Sequence, residues 1–304
     1  MKLAQENIER IHKVVKHIEL NIDSEMPLDD LAELACFSPF HFQRIFKEVL
    51  GETPKQFIKR LRLEEAARII AFQPELNILE VAVKVGFQSL EAFSRAFKDY
   101  YSLSPDKYRK SSEIERINIT QIPYSKNILI DEAKIEISFP EHKPEFEDLK
   151  PEIVNRPGQK CVCLQTTLQS PVLIKESFKR IKQWAEARDL INGETAIFGL
   201  IKDYPVFTSL DKCRFLTCVA LGKQTITSGL VSFLEIPSTK YVSFVKEGSF
   251  QDIIKTASYV VHAWLPESAF KLKLEPILLV PLNDPSITDF NENSYQIYIP
   301  VEAE

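Results

Sequence analysis

An internal repeat constrains the fold of this 304-residue chain more than any other feature of its sequence. The stretch LAELACFSPFHFQRIFKEVLGETPKQFIK recurs about fifty residues later as VAVKVGFQSLEAFSRAFKDYYSLSPDKYRK. Phe37 matches Phe87 and Phe42 matches Phe93, so the second copy has one extra residue between these two positions. Because insertions are best tolerated in loops, the repeat predicts two copies of one unit, each with a turn at this point.

Each copy has the pattern of two helices joined by a tight turn. Helices are predicted to begin at Ser38-Pro39, Thr53-Pro54 and Ser104-Pro105, because serine or threonine favours the N-cap and proline the first helical position. Gly51 is a suitable residue to end a helix. Spacing of i, i+3, i+4 and i+7 marks one buried face in each second helix. The residues at this spacing are Phe42, Ile45, Phe46 and Val49 in the first copy and Phe93, Ala96, Phe97 and Tyr100 in the second.

The opposite side of each of these helices carries polar and basic side chains. They are Gln43, Arg44 and Lys47 in the first copy, beside the unexpected aromatic Phe40, and Glu91, Ser94, Arg95 and Lys98 in the second. For one helix, a solvated surface is the simplest interpretation. Two helices that both carry polar side chains and an arginine on this side favour contact with a partner.

Charge is unevenly distributed along the chain. The net charge is −5, but residues 1–112 contain equal numbers of cations and anions, so the remainder carries all the acidity. Residues 38–62 and 95–110 are each locally basic, and such patches suit a modest set of phosphate contacts. Their cations are Arg44, Lys47, Lys55, Lys59, Arg60 and Arg62 in the first patch and Arg95, Lys98, Lys107, Arg109 and Lys110 in the second.

A second repeat covers residues 155–300, with Pro157 matching Pro237 and Trp184 matching Trp264. Each copy predicts the order strand, helix, strand, strand. In the first copy the strands fall at 160–166, 196–202 and 214–221 and the helix at 172–188. Two such units are expected to form one mixed sheet with a pair of helices on one face and a groove near the pseudo-twofold axis. A groove of this kind is a natural ligand pocket, whereas a domain that only packs or dimerises is the alternative.

Residues 5–110 resemble the DNA-binding domain of AraC/XylS-type transcriptional regulators. The resemblance rests on the motifs LAxxxxFSxxxFxRxFKxxxGxxPxxF and IxxVAxxxGFxSxxxFSRxFKxxxxxSPxxYRK. It implies an all-α double helix-turn-helix domain with a central helix at about Pro54–Ala71, whose two recognition helices enter successive major-groove segments of double-stranded DNA. RNA polymerase is a second implied partner. Because the units differ at Phe40, Gln43 and Glu91, the expected DNA site is asymmetric.

This resemblance, with the chemistry of base edges, assigns contacts to individual residues. Arginine pairs with guanine and glutamine with adenine, so Arg44, Arg95 and Gln43 are predicted to contact bases. Phe40 is predicted to pack on a thymine methyl, and Glu91 either accepts from cytosine N4 or caps its own helix. Phosphate contacts position a protein without specifying sequence, and the candidates for them are Lys47, Lys55, Lys98, Lys107 and Arg109.

Residues 151–304 resemble the GyrI-like effector-binding domain, on the segments GLIKDYPVFT, CRFLTCVAL, IPSTKYVSFVKEGSF and EPILLVPLNDP. The resemblance implies a small-molecule effector, often bulky and apolar or cationic. Family members often have a glutamate where this chain has Leu279 and a tyrosine where it has Pro281, which removes the basis for a cation preference or a hydrolase role. The predicted pocket residues, each also a candidate core residue, are Tyr204, Phe215, Phe233, Tyr241, Phe244, Trp264 and Leu279.

Other chemistry has little support in the sequence. The five cysteines form no C-x-x-C pair, the five histidines are scattered, and no nucleophile–base set or paired carboxylates stand out. We therefore expect reduced thiols, no metal, no cofactor and no enzymatic activity. The longest apolar runs fall short of the roughly 18 residues of a membrane span, and the charged N-terminus lacks the apolar core of a secretory signal. A cytoplasmic protein without membrane contact is expected.

These inferences combine into one predicted organisation: a DNA-binding domain at 1–110, a linker at 111–150 and an α+β effector-binding domain of two strand-helix-strand-strand repeats at 151–304. A short hairpin is predicted within the linker, at Ile128–Ile130 and Ile135–Phe139. The predicted function is sequence-specific transcriptional regulation controlled by a small, largely apolar ligand. A ligand-sequestering binding protein and a small-molecule hydrolase with a DNA-targeting domain are the alternatives.

Overall fold

The computed structural model divides the chain into two compact units, residues 1–122 and 123–304. It describes residues 2–111, 116, 149–193, 195–222, 227, 230–273 and 275–303. The predicted hairpin at Ile128–Ile130 and Ile135–Phe139 lies outside the described residues. Each unit is considered separately.

Helices fill the described part of the N-terminal unit. They are α1 Lys2–Leu20, α2 Leu28–Leu34, α3 Pro39–Leu50, α4 Pro54–Phe72, α5 Ile78–Lys84, α6 Leu90–Tyr101 and α7 Pro105–Lys110. The pairs α2–α3 and α5–α6 are the predicted helix-turn-helix units, and α4 is the predicted central helix, one residue longer than expected.

The helix ends follow the predicted capping chemistry with one difference. The Thr53 side chain accepts from the Gln56 N–H while the Gln56 side chain accepts from the Thr53 N–H, a capping box that fixes the start of α4. Ser104 caps the start of α7, where its side chain accepts from the Lys107 N–H. Ser38 occupies the N-cap of α3, but its side chain makes no capping bond there. Gly51 ends α3 in the left-handed region at φ 75°, as predicted.

Both helix-turn-helix units pack around the same three ring positions. These rings are Phe42, Phe46 and Phe57 in the first unit and Phe93, Phe97 and Tyr108 in the second. Successive ring centroids lie 5.4 and 5.5 Å apart in the first unit and 5.5 and 5.2 Å apart in the second. Burying each ring contributes about 1.5–3 kcal/mol. The internal repeat of the sequence therefore corresponds to a repeated aromatic core in the structure.

Two positions of the predicted buried faces are less buried than expected. Tyr101, not Tyr100, is the buried tyrosine at the end of α6, whereas Tyr100 is half-buried and its hydroxyl donates to Glu64 Oε1 at 2.9 Å. Val49 is also only half-buried. Both residues lie in the last turn of their helix.

The C-terminal unit is a sheet with helices. Its strands are β1 Glu152–Arg156, β2 Gln159–Thr167, β3 Ile197–Ile201, β4 Arg214–Ala220, β5 Val231–Ile236, β6 Thr239–Glu247, β7 Phe270–Leu272, β8 Ile277–Pro281 and β9 Ser294–Ala303. The helices are α8 Pro171–Glu186 and α9 Phe250–Tyr259, and α9 continues through a π-helical turn at Val260–Trp264 into a 3-10 turn at Leu265–Glu267.

The predicted repeat lacks one strand at the start of each copy. β1 and β5 precede the expected strands β2 and β6, and their side chains are largely exposed or half-buried, so their hydrophobic alternation is weak. They lie at the two ends of the strand order β1-β6-β9-β8-β3-β4-β2-β5, with β7 paired to β9. Each of these end strands pairs with a strand of the other copy, β1 with β6 and β5 with β2.

The described sheet is antiparallel throughout, so the prediction of a mixed sheet is wrong. The helix α8 connects β2 to β3, which run in the same direction, but β4 lies between them and is antiparallel to both. The same order read from the other end describes the second copy. A pseudo-twofold axis therefore passes between β3 and β8, where Gly199 pairs with its own repeat equivalent, Leu279.

The sheet has two apolar faces, because successive side chains of a strand point to opposite sides. We call the side contacted by α8 and α9 the helix face. Its core includes Phe178 of α8, Ile253 of α9 and Phe215 of β4. We call the other side the second face. Its buried cluster comprises Cys161, Cys163, Phe198, Leu200, Leu216, Cys218, Tyr241 and Leu278.

Candidate nucleic-acid interface and ligand-binding face

The structure places the predicted base-contacting residues on exposed sides of α3 and α6. Phe40 is the most exposed large apolar side chain of the described residues, at 81%. Gln43, Arg44, Glu91 and Arg95 are also exposed. Each helix therefore presents an exposed polar side above a fully buried aromatic core, which is the arrangement that a recognition helix requires.

His41 was not predicted to take part in this surface, yet it contacts Arg44. The Arg44 guanidinium lies 3.3 Å from His41 Nδ1 through Nη2. The His41 ring packs edge-on against Phe37 at 4.9 Å, and the Arg10 guanidinium lies 5.3 Å from the Phe37 ring centroid. Arg44 is therefore the exposed end of a series of contacts that runs through His41 and Phe37 to Arg10. Sequence spacing alone contained the i, i+3 relation between His41 and Arg44 but no reason to select it.

The N-cap of α6 is a serine and not the candidate Glu91. Ser89 occupies the N-cap, and its hydroxyl accepts from the Ala92 N–H at 3.2 Å. The cap bond thus comes from Ser89, and Glu91 is an exposed residue of the first turn. Its carboxylate still benefits from the positive end of the helix dipole.

The first basic patch is smaller than the sequence suggested, because two of its arginines bind the protein itself. Arg60 is buried and donates to Glu52 Oε1 through Nη2 at 2.7 Å and to Glu64 Oε2 through Nη1 at 3.1 Å. Arg62 donates to three backbone carbonyls, those of Ile22, Ser24 and Gly86, at 2.6–2.9 Å. The cations of this patch that remain exposed are Arg44, Lys47, Lys55 and Lys59.

The Arg60 contacts form a buried polar chain between the two helix-turn-helix units. Glu52 follows the end of α3, Arg60 and Glu64 lie on α4, and the Tyr100 hydroxyl at the end of α6 donates to Glu64. Burial opposes the Arg60 charge, but the two carboxylates outweigh it, so the pKa of Arg60 is raised above its ordinary value. The chain joins the ends of both recognition helices to one central helix.

Arg62 makes a second connection, which also explains Gly86. This glycine ends the turn after α5 at φ +80°, and a Cβ on it would lie 2.7 Å from the Asp23 carbonyl oxygen and 2.9 Å from the Arg62 guanidinium carbon. A side chain here would be strained and would displace Arg62. Arg62 therefore links two segments to α4: the loop after α1 and the turn between α5 and α6.

The predicted phosphate contacts fall into two groups. Lys47, Lys55, Lys98 and Lys107 are exposed, and Lys55 and Lys107 lie in the first turns of α4 and α7. Arg109 is half-buried instead, and its Nη2 donates to the Leu76 carbonyl oxygen at 2.6 Å. Its guanidinium therefore holds the loop before α5, which makes it the weakest of these candidates.

The seven predicted pocket residues do not line one surface. Phe215, Phe244 and Leu279 are enclosed in the core of the helix face, with Tyr204 and Trp264 packed at its margin. Phe233 of β5 stands opposite Val162. Tyr241 belongs to the second face and packs with Tyr298 at a ring distance of 6.0 Å. Their common apolar character could not separate the faces, because side-chain direction depends on strand register.

At the pseudo-twofold axis the helix face is filled by protein side chains. A Cβ on Gly199 would lie 2.3 Å from Phe215 Cζ, so the absent side chain makes room for this ring. Leu279, the repeat equivalent of Gly199, is fully buried. An apolar side chain thus stands at this position on one side of the axis, and the Phe215 ring occupies the equivalent space on the other side.

Polar anchoring near this axis was also missed by the sequence prediction. The Tyr204 hydroxyl donates to the Glu275 carbonyl oxygen at 3.0 Å, which joins the β3–β4 loop to the segment before β8. Arg214 donates through Nε to Asp203 Oδ2 at 2.6 Å, and both residues are buried. The acidic and basic positions of this loop were visible in the sequence, but only the fold brings them together.

No group of three His, Cys, Asp or Glu side chains in the described part of the chain is placed to hold a metal ion. None of the helices described is both long and apolar enough to cross a membrane.

Family models match both units. One described as a helix-turn-helix domain matches residues 31–111, and one described as a GyrI-like small molecule binding domain matches residues 149–302, about half of the chain. The first match runs from within α2 to the end of α7, and the second covers the whole described sheet apart from the last residue of β9.

Individual relatives match the N-terminal unit. An HTH-type transcriptional regulator of Haemophilus influenzae is 43% identical over 84 residues, which are 28% of this chain and 28% of that protein. The HTH-type transcriptional activator AarP of Providencia stuartii is 33% identical over 101 residues, 33% of this chain and 74% of AarP. The multiple antibiotic resistance protein MarA of Escherichia coli is 33% identical over 102 residues, 34% of this chain and 80% of MarA.

Proposed function

The chain belongs to the AraC/XylS-type helix-turn-helix family and carries a GyrI-like small-molecule-binding domain, and from this premise we propose that it is a ligand-controlled transcriptional regulator. One observation carries the DNA-binding half of the proposal. Both recognition helices expose an arginine and polar side chains above repeated aromatic cores, although their exposed sides differ in sequence. A repeated core with divergent exposed sides suits an asymmetric pair of major-groove contacts.

In this proposal Arg44 and Arg95 each contact a guanine, Gln43 contacts an adenine, and Phe40 packs on a thymine methyl. Glu91 accepts from a cytosine amino group. Lys47, Lys55, Lys98 and Lys107 contact phosphates. Arg109 instead donates to the Leu76 carbonyl oxygen in the loop before α5. Activation through RNA polymerase is part of the proposal, because AarP is named a transcriptional activator.

The test uses a duplex site selected from random sequence and three variants of the full chain. Arg44→Ala and Arg95→Ala are each expected to weaken binding by about 1–3 kcal/mol and to relax base preference only in their own half of the site. Lys13→Ala removes one charge from an exposed position on α1 and is the matched control. The proposal fails if all three variants lose the same affinity with unchanged base preference.

For the effector we propose an apolar, uncharged molecule bound in the C-terminal domain. The resemblance implies a glutamate at the position of Leu279, which is fully buried in this protein. This position therefore offers an apolar side chain and not a carboxylate partner for a cation. Ligand control requires that the effector bind the DNA-competent and DNA-incompetent states with different affinity.

Both tryptophans of the chain, Trp184 and Trp264, lie in the C-terminal domain, so intrinsic fluorescence reports on this domain. A neutral aromatic dye, N-phenyl-1-naphthylamine, is expected to change this fluorescence and the affinity for the selected DNA site. The lipophilic cation tetraphenylphosphonium is expected to do neither. Dye binding with unchanged DNA affinity would favour the ligand-sequestering alternative, and preference for the cation would contradict an apolar site.

A further inference from the structure

Three thiols lie together on the second face of the sheet. Cys161 and Cys163 are alternate residues of β2, and Cys218 lies on the neighbouring strand β4. All three are free and at most 2% exposed. The other two cysteines are apart from them, Cys36 at the surface and Cys213 in the core of the helix face. Neither DNA binding nor effector binding, as proposed above, uses this cluster.

Strand register places Cys163 directly opposite Cys218. Backbone bonds that continue this ladder run from Leu221 N–H to the Lys160 oxygen at 2.8 Å and from Leu168 N–H to the Cys213 oxygen at 3.0 Å. Hydrogen-bonded pairs therefore fall at even-numbered residues of β2, and Cys163 faces Cys218 in a non-hydrogen-bonded pair. The Cα atoms of such a pair are about 4.5 Å apart, which lies inside the 4.4–6.8 Å that disulfides span.

The two thiols have different environments. Ser232 of the end strand β5 stands opposite Cys163 on its other side, with its hydroxyl oxygen 3.2 Å from Cys163 Sγ. Hydrogen bonds from Cys218 and Ser232 lower the pKa of Cys163, whereas burial raises the pKa of Cys218. A thiolate is the form that attacks an oxidant. Cys163 lies on the strand next to the end strand β5, whereas Cys218 lies one strand further into the sheet and is fully buried. Cys163 is therefore the attacking residue of the pair and Cys218 the resolving one.

We propose that Cys163 and Cys218 form a dithiol redox site that hydrogen peroxide oxidises to an intramolecular disulfide. The Cys163 thiolate attacks one peroxide oxygen, the O–O bond breaks, and Cys163 becomes a sulfenic acid while hydroxide leaves and takes up a proton as water. Cys218 then attacks the sulfenic sulfur, the S–S bond forms, and the hydroxyl group leaves with the Cys218 proton as a second water. The thiols lose two electrons in total, which the peroxide gains.

The test treats the reduced full chain with increasing hydrogen peroxide, blocks the remaining thiols with an alkylating agent under denaturing conditions, and maps peptides by mass spectrometry. Native protein is expected to lose two alkylatable thiols per chain as one linked peptide pair that contains Cys163 and Cys218. Exposed Cys36 is the internal comparator. Oxidation of Cys36 while Cys163 and Cys218 stay alkylatable would overturn the proposal, as would a disulfide to Cys161.

Variants separate the roles of the three thiols. Cys161→Ser is the matched control and is expected to keep the disulfide, since Cys161 faces Ala220 and not a cysteine. Cys218→Ser is expected to leave Cys163 as a sulfenic acid that dimedone traps, whereas Cys163→Ser leaves no dimedone adduct in the cluster. Tryptophan fluorescence checks that each variant is folded, and Cys→Ala replaces any serine variant that is not. Equal dimedone labelling of Cys163 and Cys218 in these variants would contradict the assigned roles.

Discussion

The two repeats of this chain diverge in opposite places. In the helical pair, the interior is repeated ring for ring and the exposed sides of α3 and α6 differ. In the sheet pair, β3 and β8 begin at the matching residues Ile197 and Ile277, but the equivalent residues that meet at the axis, Gly199 and Leu279, differ. A recognition helix contacts its partner through its exposed side, so its buried side is constrained only by packing. A sheet repeat meets its copy at the axis, so divergence there changes the core itself.

The loops next to the axis show the same divergence. In the first copy, the β3–β4 loop is closed by the buried ion pair between Asp203 and Arg214. In the second, the Asn283 N–H donates to Asn293 Oδ1 at 3.2 Å, so a neutral pair closes the β8–β9 loop. The largest effects on stability are expected from substitutions that remove the interactions closing these two loops.

Arg214→Ala is expected to destabilise the C-terminal domain by about 3–5 kcal/mol, because it leaves the buried Asp203 carboxylate without its cation. Asn293→Ala removes a neutral partner from the equivalent loop and is expected to cost about 1–2 kcal/mol. Denaturant unfolding of the full chain followed by tryptophan fluorescence measures both, since Trp184 and Trp264 report only on this domain. Equal losses would mean that charge does not distinguish the two loops.

The glycine at the axis gives the next largest effect. Gly199→Ala places a Cβ 2.3 Å from the Phe215 ring, and this overpacking is expected to cost about 1–3 kcal/mol. Combined with Phe215→Leu, which makes space, the same substitution should cost clearly less than it does alone. Double-mutant analysis of fluorescence-detected unfolding gives the coupling between the two positions. Strict additivity would show that the ring does not confine position 199.

A smaller effect tests the polar chain that joins the two recognition helices. Tyr100→Phe removes the hydroxyl that donates to Glu64 and is expected to cost about 1.5 kcal/mol of N-terminal domain stability. Tyr108→Phe is the matched control, because among the described residues its buried hydroxyl has no hydrogen-bond partner. Circular dichroism at 222 nm follows unfolding of both variants. If Tyr108→Phe costs as much as Tyr100→Phe, the chain contributes nothing specific.

Sequence periodicity predicted the helical domain well, because its helices are set by local signals. The capping box at Thr53 and the left-handed residue Gly51 are both visible in a few neighbouring residues. The separation of surface arginines from internal ones was not predictable. Arg44 and Arg60 belong to the same basic run, and only tertiary contacts with Glu52 and Glu64 remove Arg60 from the surface.

The sheet was harder to predict for two physical reasons. Strands β1 and β5 each pair with a strand of the other copy, so a local hairpin pattern does not predict them. The strand β4 is also buried on both faces along almost its whole length, and its neighbouring residues Phe215 and Leu216 point to opposite sides. Composition therefore marked the pocket candidates as apolar without assigning them to a face.

The smallest expected effect concerns phosphate contacts, where the two helical copies differ by one position. Lys55 is the second residue of α4, whereas Lys107 is the third residue of α7. Each contact releases about one counterion, so Lys55→Ala and Lys107→Ala should each reduce the slope of log affinity against log salt by about 1 while leaving base preference unchanged. Lys59→Ala, at an exposed position of α4 that is not assigned to a phosphate, is the control. A slope change in only one lysine variant would mean that one copy lies away from the backbone at this point, and the double variant should then match that single variant.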